Sequence, residues 1–242
     1  MIVLFTDFGL EGPYTGQVQA VLHQQAPGIP VVSLFSDLTP FDIQGAAYLL
    51  PAYTQGFPPG TVFLCVVDPG VGGTRPGVVV NADGRWYAGP DEGLFTLVAR
   101  RAKTLEWWKL QEPQGISGSF HGRDVFAPVV ARLARDGKVA GEPLSAEQHI
   151  QPDWPDDLYR VVYIDRFGNA LTGVRASGVN PDAMLEINRR ALRSARTFSD
   201  VSEGAAFWYE NSSGLVEIAV NQGRAEQGLG LSVGTPFNMQ MG

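Results

Sequence analysis

The chain is short of cysteine, histidine and positive charge, and each shortage excludes something. Cys65 is the one cysteine in 242 residues, so no internal disulfide can form. It stands inside the apolar stretch Thr61–Val67, where a thiol is expected to act as a small buried hydrophobe rather than as a nucleophile. Lysine and arginine total 18 against 25 acidic residues, and a net charge of −7 supplies no basic stripe to displace counterions from a nucleic acid. No apolar run approaches the ~20 residues that span a bilayer. Met1–Phe5 carries no basic leader and is interrupted at once by Thr6 and Asp7, so a signal peptide is not expected. No HExxH pair or cysteine cluster suggests zinc, the phosphate-cradling GxxxxGK[ST] loop is missing, and no GxGxxG opens a helix. Asp7-Phe8-Gly9 repeats a kinase tripeptide without the rest of that signature. With 44% apolar and 18% charged residues, what remains is a well-packed, cytoplasmic enzyme or binding protein.

What is present is ordered alternation. Ile2–Phe5, Val31–Leu34 and Thr61–Val67 read as buried strands, separated by helices near Tyr14–Gln25 and Asp42–Ala52. A hairpin follows, Gly77–Asn81 and Arg85–Ala88 around Asp83-Gly84. Leu94–Lys103 reads as helix, Leu105–Leu110 as strand, and Pro128–Arg135 as a helix with proline in its first turn. This predicts an α/β domain over 1–140, a mostly parallel sheet with flanking helices. Residues 141–157 are rich in proline and in acidic or amide side chains and read as a linker. From 158 to 242 come short strands punctuated by glycine and asparagine: Tyr159–Asp165, Ala170–Val174, Met184–Ile187, Ala205–Glu210 and Leu215–Val220. They predict a smaller all-β domain, a sandwich or barrel.

Polar clusters fall at the ends of these strands. Asp7 follows the first, and Asp68 and Arg75 bracket the glycine-rich turn Asp68-Pro69-Gly70-Val71-Gly72-Gly73-Thr74-Arg75 after the third. Pro90-Asp91-Glu92-Gly93 and Ser119-Phe120-His121-Gly122-Arg123-Asp124 stand in later turns. Strand ends of a parallel sheet converge on one edge, where open α/β sheets place ligands. Taken singly, Asp68 and Arg75 fit a solvated surface pair and His121 fits a helix cap; together they fit a shared cleft. Asp7, Asp68 and His121 also fit a metal site, but Arg75 beside Asp68 makes a cation unwelcome, and no metal is expected. In the second half, Asp165-Arg166-Phe167-Gly168-Asn169 offers acceptor and donor groups for amines and heterocycle edges, with Phe167 as a stacking face. The same residues also fit a plain turn, as does Tyr209–Gly214.

The order of these stretches resembles one family, the S-adenosyl-L-methionine (SAM) hydroxide adenosyltransferases, relatives of the SAM-dependent fluorinases and chlorinases. The resemblance is carried by Thr6-Asp7-Phe8-Gly9, Thr39-Pro40-Phe41-Asp42, Val67–Gly72, Gly89-Pro90-Asp91, Phe120–Asp124, Asp165–Asn169, Thr197–Asp200 and Asn211–Gly214. It implies an α/β domain followed by a barrel-like one, assembled as a homotrimer with SAM between the first domain of one subunit and the second of its neighbour. By motif, Asp7 would hold the ribose hydroxyls, Phe41 would pack by the ligand, and Asp68, Arg75 and His121 would handle the attacking water. Asp165 would meet the methionine ammonium, Phe198 and Asn169 would face adenine, and Ser212 and Ser213 would lie at the methionine end. Two positions depart from the pattern: Glu92 stands where asparagine is expected, and Ser213 where the halogenases carry arginine.

The halogenases place tyrosine at the Asp68 position and a Tyr-Ser pair at His121-Gly122. Gly122 supplies no hydroxyl for a halide, and the Asp68 charge would oppose a buried anion. The expected reaction is attack of water or hydroxide on C5′ of SAM, giving adenosine and L-methionine without cofactor or metal. Its open point is the base, because an arginine partner makes a carboxylate a poorer proton acceptor. A SAM or adenosine sensor that performs no chemistry, and a structural trimer with a relict site, are the alternatives of another class.

Overall fold

The computed structural model describes residues 1–111, 115 and 117–240; positions 112–114 and 116, and 241–242 at the end of the expected all-β range, lie outside the described residues. The chain divides into two compact units, Met1–Asp153 and Trp154–Gly242.

The first unit is built on one sheet of seven strands. These are β1 (Ile2–Thr6), β2 (Val31–Phe35), β3 (Val62–Val66), β4 (Gly77–Ala82), β5 (Arg85–Pro90), β6 (Leu105–Leu110) and β7 (Gly141–Pro143), in the order β2-β1-β3-β5-β4-β6-β7. Strands β2, β1, β3 and β5 run parallel, whereas β4, β6 and β7 join by antiparallel pairings. The sheet changes character at the two-residue hairpin Asp83-Gly84. Both residues sit at positive φ, 51° and 78°, which matches the right-handed twist of the flanking strands. The segment 141–157, linker-like in composition, supplies β7 at the sheet edge and a short helical turn, Ala146–Gln148.

Among the described residues, four α-helices flank the sheet: α1 (Tyr14–Gln25), α2 (Ile43–Thr54), α3 (Thr96–Arg101) and α4 (Ala127–Asp136). Asp42 caps α2 by accepting the Gly45 N–H at 2.9 Å. Pro128 occupies the first turn of α4, and the Gly137 N–H closes its last turn on the Leu133 carbonyl at 2.9 Å. Strands β1 and β3 are buried along their whole length. Their alternate residues serve two faces. Ile2, Leu4, Val62, Leu64 and Val66 pack with Val18 and Leu22 of α1 and Val130 and Leu133 of α4. On the other face Phe63 stacks on Tyr87 at 4.9 Å. Tyr87 shares a 3.1 Å hydrogen bond with Thr54 of α2, and burial pushes its phenol up to about 12. Because β1 and β3 are parallel neighbours, with Thr6 opposite Val66, their carboxyl ends emerge side by side.

The second unit is all β apart from short helical turns. Strands β8 (Leu158–Ile164), β9 (Ala170–Arg175), β12 (Ala206–Glu210) and β13 (Leu215–Val220) form a sheet in the order β12-β13-β9-β8. A second sheet holds β10 (Met184–Ile187) between β11 (Arg190–Leu192) and β14 (Asn238–Gln240). Val161, Val174, Leu185, Ile187, Trp208, Val216 and Ile218 share its core, and the Trp208 indole N–H donates to the Ala183 carbonyl at 3.1 Å. Among the described residues, no helix is long and apolar enough to cross a membrane.

Candidate active site

The emerging ends of β1 and β3 carry the first group of functional side chains. Arg75 Nε donates to Asp68 Oδ1 at 2.9 Å and Nη2 donates to Oδ2, a fork-to-fork pair whose side chains are 9% and 5% exposed. Nη2 also lies 3.3 Å from His121 Nδ1. A guanidinium has no lone pair to offer, so Nδ1 is the acceptor in this contact and the ring N–H falls on Nε2. His121 is buried, and the Arg75 guanidinium carbon sits 5.6 Å from the centre of the Phe126 ring. Arg75 Nη1 is buried without a hydrogen-bond partner among the described residues.

The turn between Asp68 and Arg75 needs its glycines for close approach. Gly72 stands at φ 79°, and a Cβ there would collide with the Gly118 carbonyl. The turn thus packs against the loop that leads into His121. That loop is held by aromatic contacts: Phe120 meets Phe8 edge-on at 5.6 Å and Tyr14 at 5.3 Å. After His121 the chain enters a widened helical turn, Gly122–Phe126, that runs into α4. Arg123 pairs with Asp124 and donates to Gln17 Oε1 at 2.7 Å. Its hydrogen bonds hold the Asp124 carboxyl below the usual range. Of this stretch, His121 alone turns to Arg75.

Asp7 directly follows β1, its N–H donating to the Val66 carbonyl at 3.3 Å. Its carboxylate accepts the Phe41 N–H at 3.4 Å. Burial raises the Asp7 pKa, the Phe41 N–H opposes that rise, and the nearby Asp68 charge adds to it. Phe41 holds φ at 66°, a conformation a bulky side chain rarely adopts, and the residue is 73% exposed. The two acids after β5 part company. Asp91 turns to His149, whose Nδ1 is 2.5 Å away and whose ring stacks on Trp107. Glu92 instead lies by Asp68 and Arg75, close enough to feel both charges. In the sequence Glu92 belongs to the polar turn Pro90-Asp91-Glu92-Gly93 and departs from the family pattern, with no role assigned to it.

The second unit carries the other group. Asp165 Oδ1 accepts the Asn169 backbone N–H at 2.8 Å, and Oδ2 accepts its side-chain amide at 3.2 Å. Phe167, between them, is 73% exposed. Phe198 meets Phe207 at 5.2 Å and Tyr209 at 5.4 Å, both edge-on. Ser212 and Ser213 sit in a turn shaped by Asn211 Oδ1, which accepts the N–H groups of Ser213 and Leu215 at 2.9 and 3.0 Å. Behind this turn lies a residue the sequence reading missed. Glu217, buried on β13, accepts the Tyr209 hydroxyl at 2.5 Å and the Asn211 amide at 2.9 Å. Burial raises its pKa, its hydrogen-bond donors oppose the rise, and the Asp165 charge adds to it. The signal was a lone carboxylate in the apolar run Leu215–Val220.

Among the described residues, no three His, Cys, Asp or Glu side chains converge as metal ligands. Burial pushes the Cys65 thiol well above its usual value, so it supplies no thiolate. The first unit brings together a fixed guanidinium, an imidazole and several carboxylates, groups chemically able to orient a water molecule and accept its proton.

Residues 2–141 match the family model of the SAM hydroxide adenosyltransferase N-terminal domain, and residues 159–238 match that of its C-terminal domain. A protein of Thermus thermophilus named (R)-S-adenosyl-L-methionine hydrolase is 41% identical, with 98% of each chain covered. A fluorinase of Nocardia brasiliensis is more distant, 23% identical over 100% of this chain and 94% of its own. The crystal structure of an uncharacterized conserved protein from Thermotoga maritima superposes over 100% of both chains with a TM-score of 0.88 at 30% identity.

Proposed function

The chain belongs to the SAM hydroxide adenosyltransferase family, and from that premise we propose that it hydrolyses S-adenosyl-L-methionine to adenosine and L-methionine. The observation that carries the reading is the buried Asp68–Arg75–His121 cluster beside Asp7 at the paired ends of β1 and β3. In this reading a water oxygen attacks C5′, and the C5′–S bond breaks with its electron pair moving to sulfur. Methionine departs as a neutral thioether, so the leaving group needs no acid. The site has to place one water in line with the C5′–S bond and relieve it of a proton. Asp68 fixes Arg75, Arg75 stabilises hydroxide character on the water, and His121 orients the guanidinium from behind.

Asp7 holds the ribose hydroxyls and Phe41 covers the sugar. Asp165 takes the α-ammonium, Asn169 the adenine edge, and Phe167 and Phe198 its faces. Ser212 and Ser213 serve the amino-acid end. The reading also includes a homotrimer with each SAM between two subunits, a cytoplasmic setting and no cofactor beyond the substrate. It disfavours halide as nucleophile, since the Asp68 carboxylate repels an anion and Gly122 offers no hydroxyl. Incubation of the purified protein with SAM, followed by chromatography, tests the proposal: equimolar adenosine and methionine are expected. SAM that is bound but not consumed would make the protein a sensor instead.

A further inference from the structure

Two buried polar atoms of opposite character stand without partners among the described residues in the region of the Asp68–Arg75 turn. One is a donor, Arg75 Nη1, and the other an acceptor, Glu92 Oε2. A buried donor or acceptor left unpaired is costly, so such atoms are rare unless a ligand or solvent molecule completes them. The rest of Arg75 is committed, Nε and Nη2 to Asp68 and Nη2 again to His121. Both Asp68 oxygens are committed in return. The chain also makes room for Glu92: a Cβ on Gly70, in the turn just after Asp68, would collide with Glu92 Oε1. Glu92 is thereby laid across the Asp68–Arg75 turn, whereas its neighbour Asp91 is drawn off to His149.

We infer that Glu92 is the proton acceptor of the hydrolysis, taking a proton from the attacking water while Arg75 Nη1 holds that water's oxygen. The inference rests on the SAM-hydrolase reading and supplies the base that reading lacks. The step balances: the water oxygen bonds to C5′, its proton passes to the Glu92 carboxylate, the C5′–S pair goes to sulfur, and the Glu92 proton is later lost to solvent. Its surroundings suit the task. Burial raises the Glu92 pKa first, the Asp68 and Asp91 charges raise it further, and only Arg75 opposes them. A carboxylate so placed holds a proton better than one locked against a guanidinium.

The sign of the pH effect follows. Glu92 must be ionised to act, so turnover falls as pH drops through its raised pKa, on an acid limb above the ordinary glutamate range. The test measures kcat and KM for SAM across pH in the wild type, Glu92→Gln and Glu92→Asp. Glu92→Gln preserves shape and is expected to lose about 100-fold or more in kcat with KM within about threefold, and to lose the acid limb. Glu92→Asp is expected to keep the limb and part of the rate. Glu92→Gln with near-wild-type kcat and an unchanged limb would overturn the role of Glu92 while leaving the hydrolase standing. A wild-type protein that yields no adenosine would overturn both. Circular dichroism of each variant shows that a lost rate is not a lost fold.

Discussion

Removing Asp68 should do two separable things, and the structure gives the size of the first. Its partner guanidinium is 9% exposed and makes its Nε and Nη2 bonds to the Asp68 carboxylate. Asp68→Ala leaves that charge buried with most of its donors stranded, Nη1 being without a partner among the described residues already. Breaking a buried pair from one side costs about 3–5 kcal/mol. The pair sits just past the carboxyl end of β3 rather than mid-core, so the lower end applies, about 3 kcal/mol, or a fall in Tm of roughly 6–12 °C for a chain of this size. Arg75→Met removes the stranded charge and lays an apolar chain near Phe126, which the guanidinium carbon now faces at 5.6 Å. The double variant Asp68→Ala/Arg75→Met should therefore regain most of the lost stability, because apolar replacement of a buried pair is often neutral. Its SAM turnover should stay absent. Thermal unfolding and product chromatography on the four proteins of the cycle supply both readings. A single variant that loses less than about 1 kcal/mol would mean the pair behaves as a solvated surface bridge. A double variant that hydrolyses SAM would mean the pair holds the fold and not the water.

Two further substitutions probe the supports of the site. At Gly89 a Cβ would collide with the Cys65 carbonyl on the neighbouring strand, so Gly89→Ala should spread β3 from β5, cost about 1–3 kcal/mol and misplace Glu92; denaturant unfolding at wild-type midpoint would contradict this. Glu217→Ala strands the Tyr209 hydroxyl and the Asn211 amide behind the Ser212-Ser213 turn, so KM for SAM should rise more than kcat falls, with about 1–3 kcal/mol lost from stability. An unchanged KM would remove Glu217 from the binding machinery.

Much of this was legible in the sequence because it is local. Strands β1 and β3 announce themselves as apolar runs, Asp83-Gly84 as a hairpin, and α4 by Pro128 at its start and Gly137 at its end. The convergence of Asp7, Asp68 and Arg75 followed from strand ends alone. What escaped depends on partners distant in the chain. The order β5-β4-β6-β7, and with it the mixed character of the sheet, is set by pairings that no single window contains. Asp91 and Glu92 are adjacent acids in one turn, yet one meets His149, 58 positions on, and the other lies within the field of Asp68 and Arg75. Glu217 is a single carboxylate in an apolar strand, and the β12–β13 hairpin brings it the donors that let it be buried. Phe41 gave no local sign of its positive φ, since nothing in Thr39-Pro40-Phe41-Asp42 demands one.

The central claim is that water attacks C5′ of SAM within this site. Running the reaction in water enriched in oxygen-18, with metal chelated, and weighing both products by mass spectrometry tests it directly. Attack by water at C5′ puts one labelled oxygen in adenosine, at the 5′-hydroxyl, and none in methionine. Unlabelled adenosine, label in methionine, or SAM recovered intact after saturating binding would contradict it.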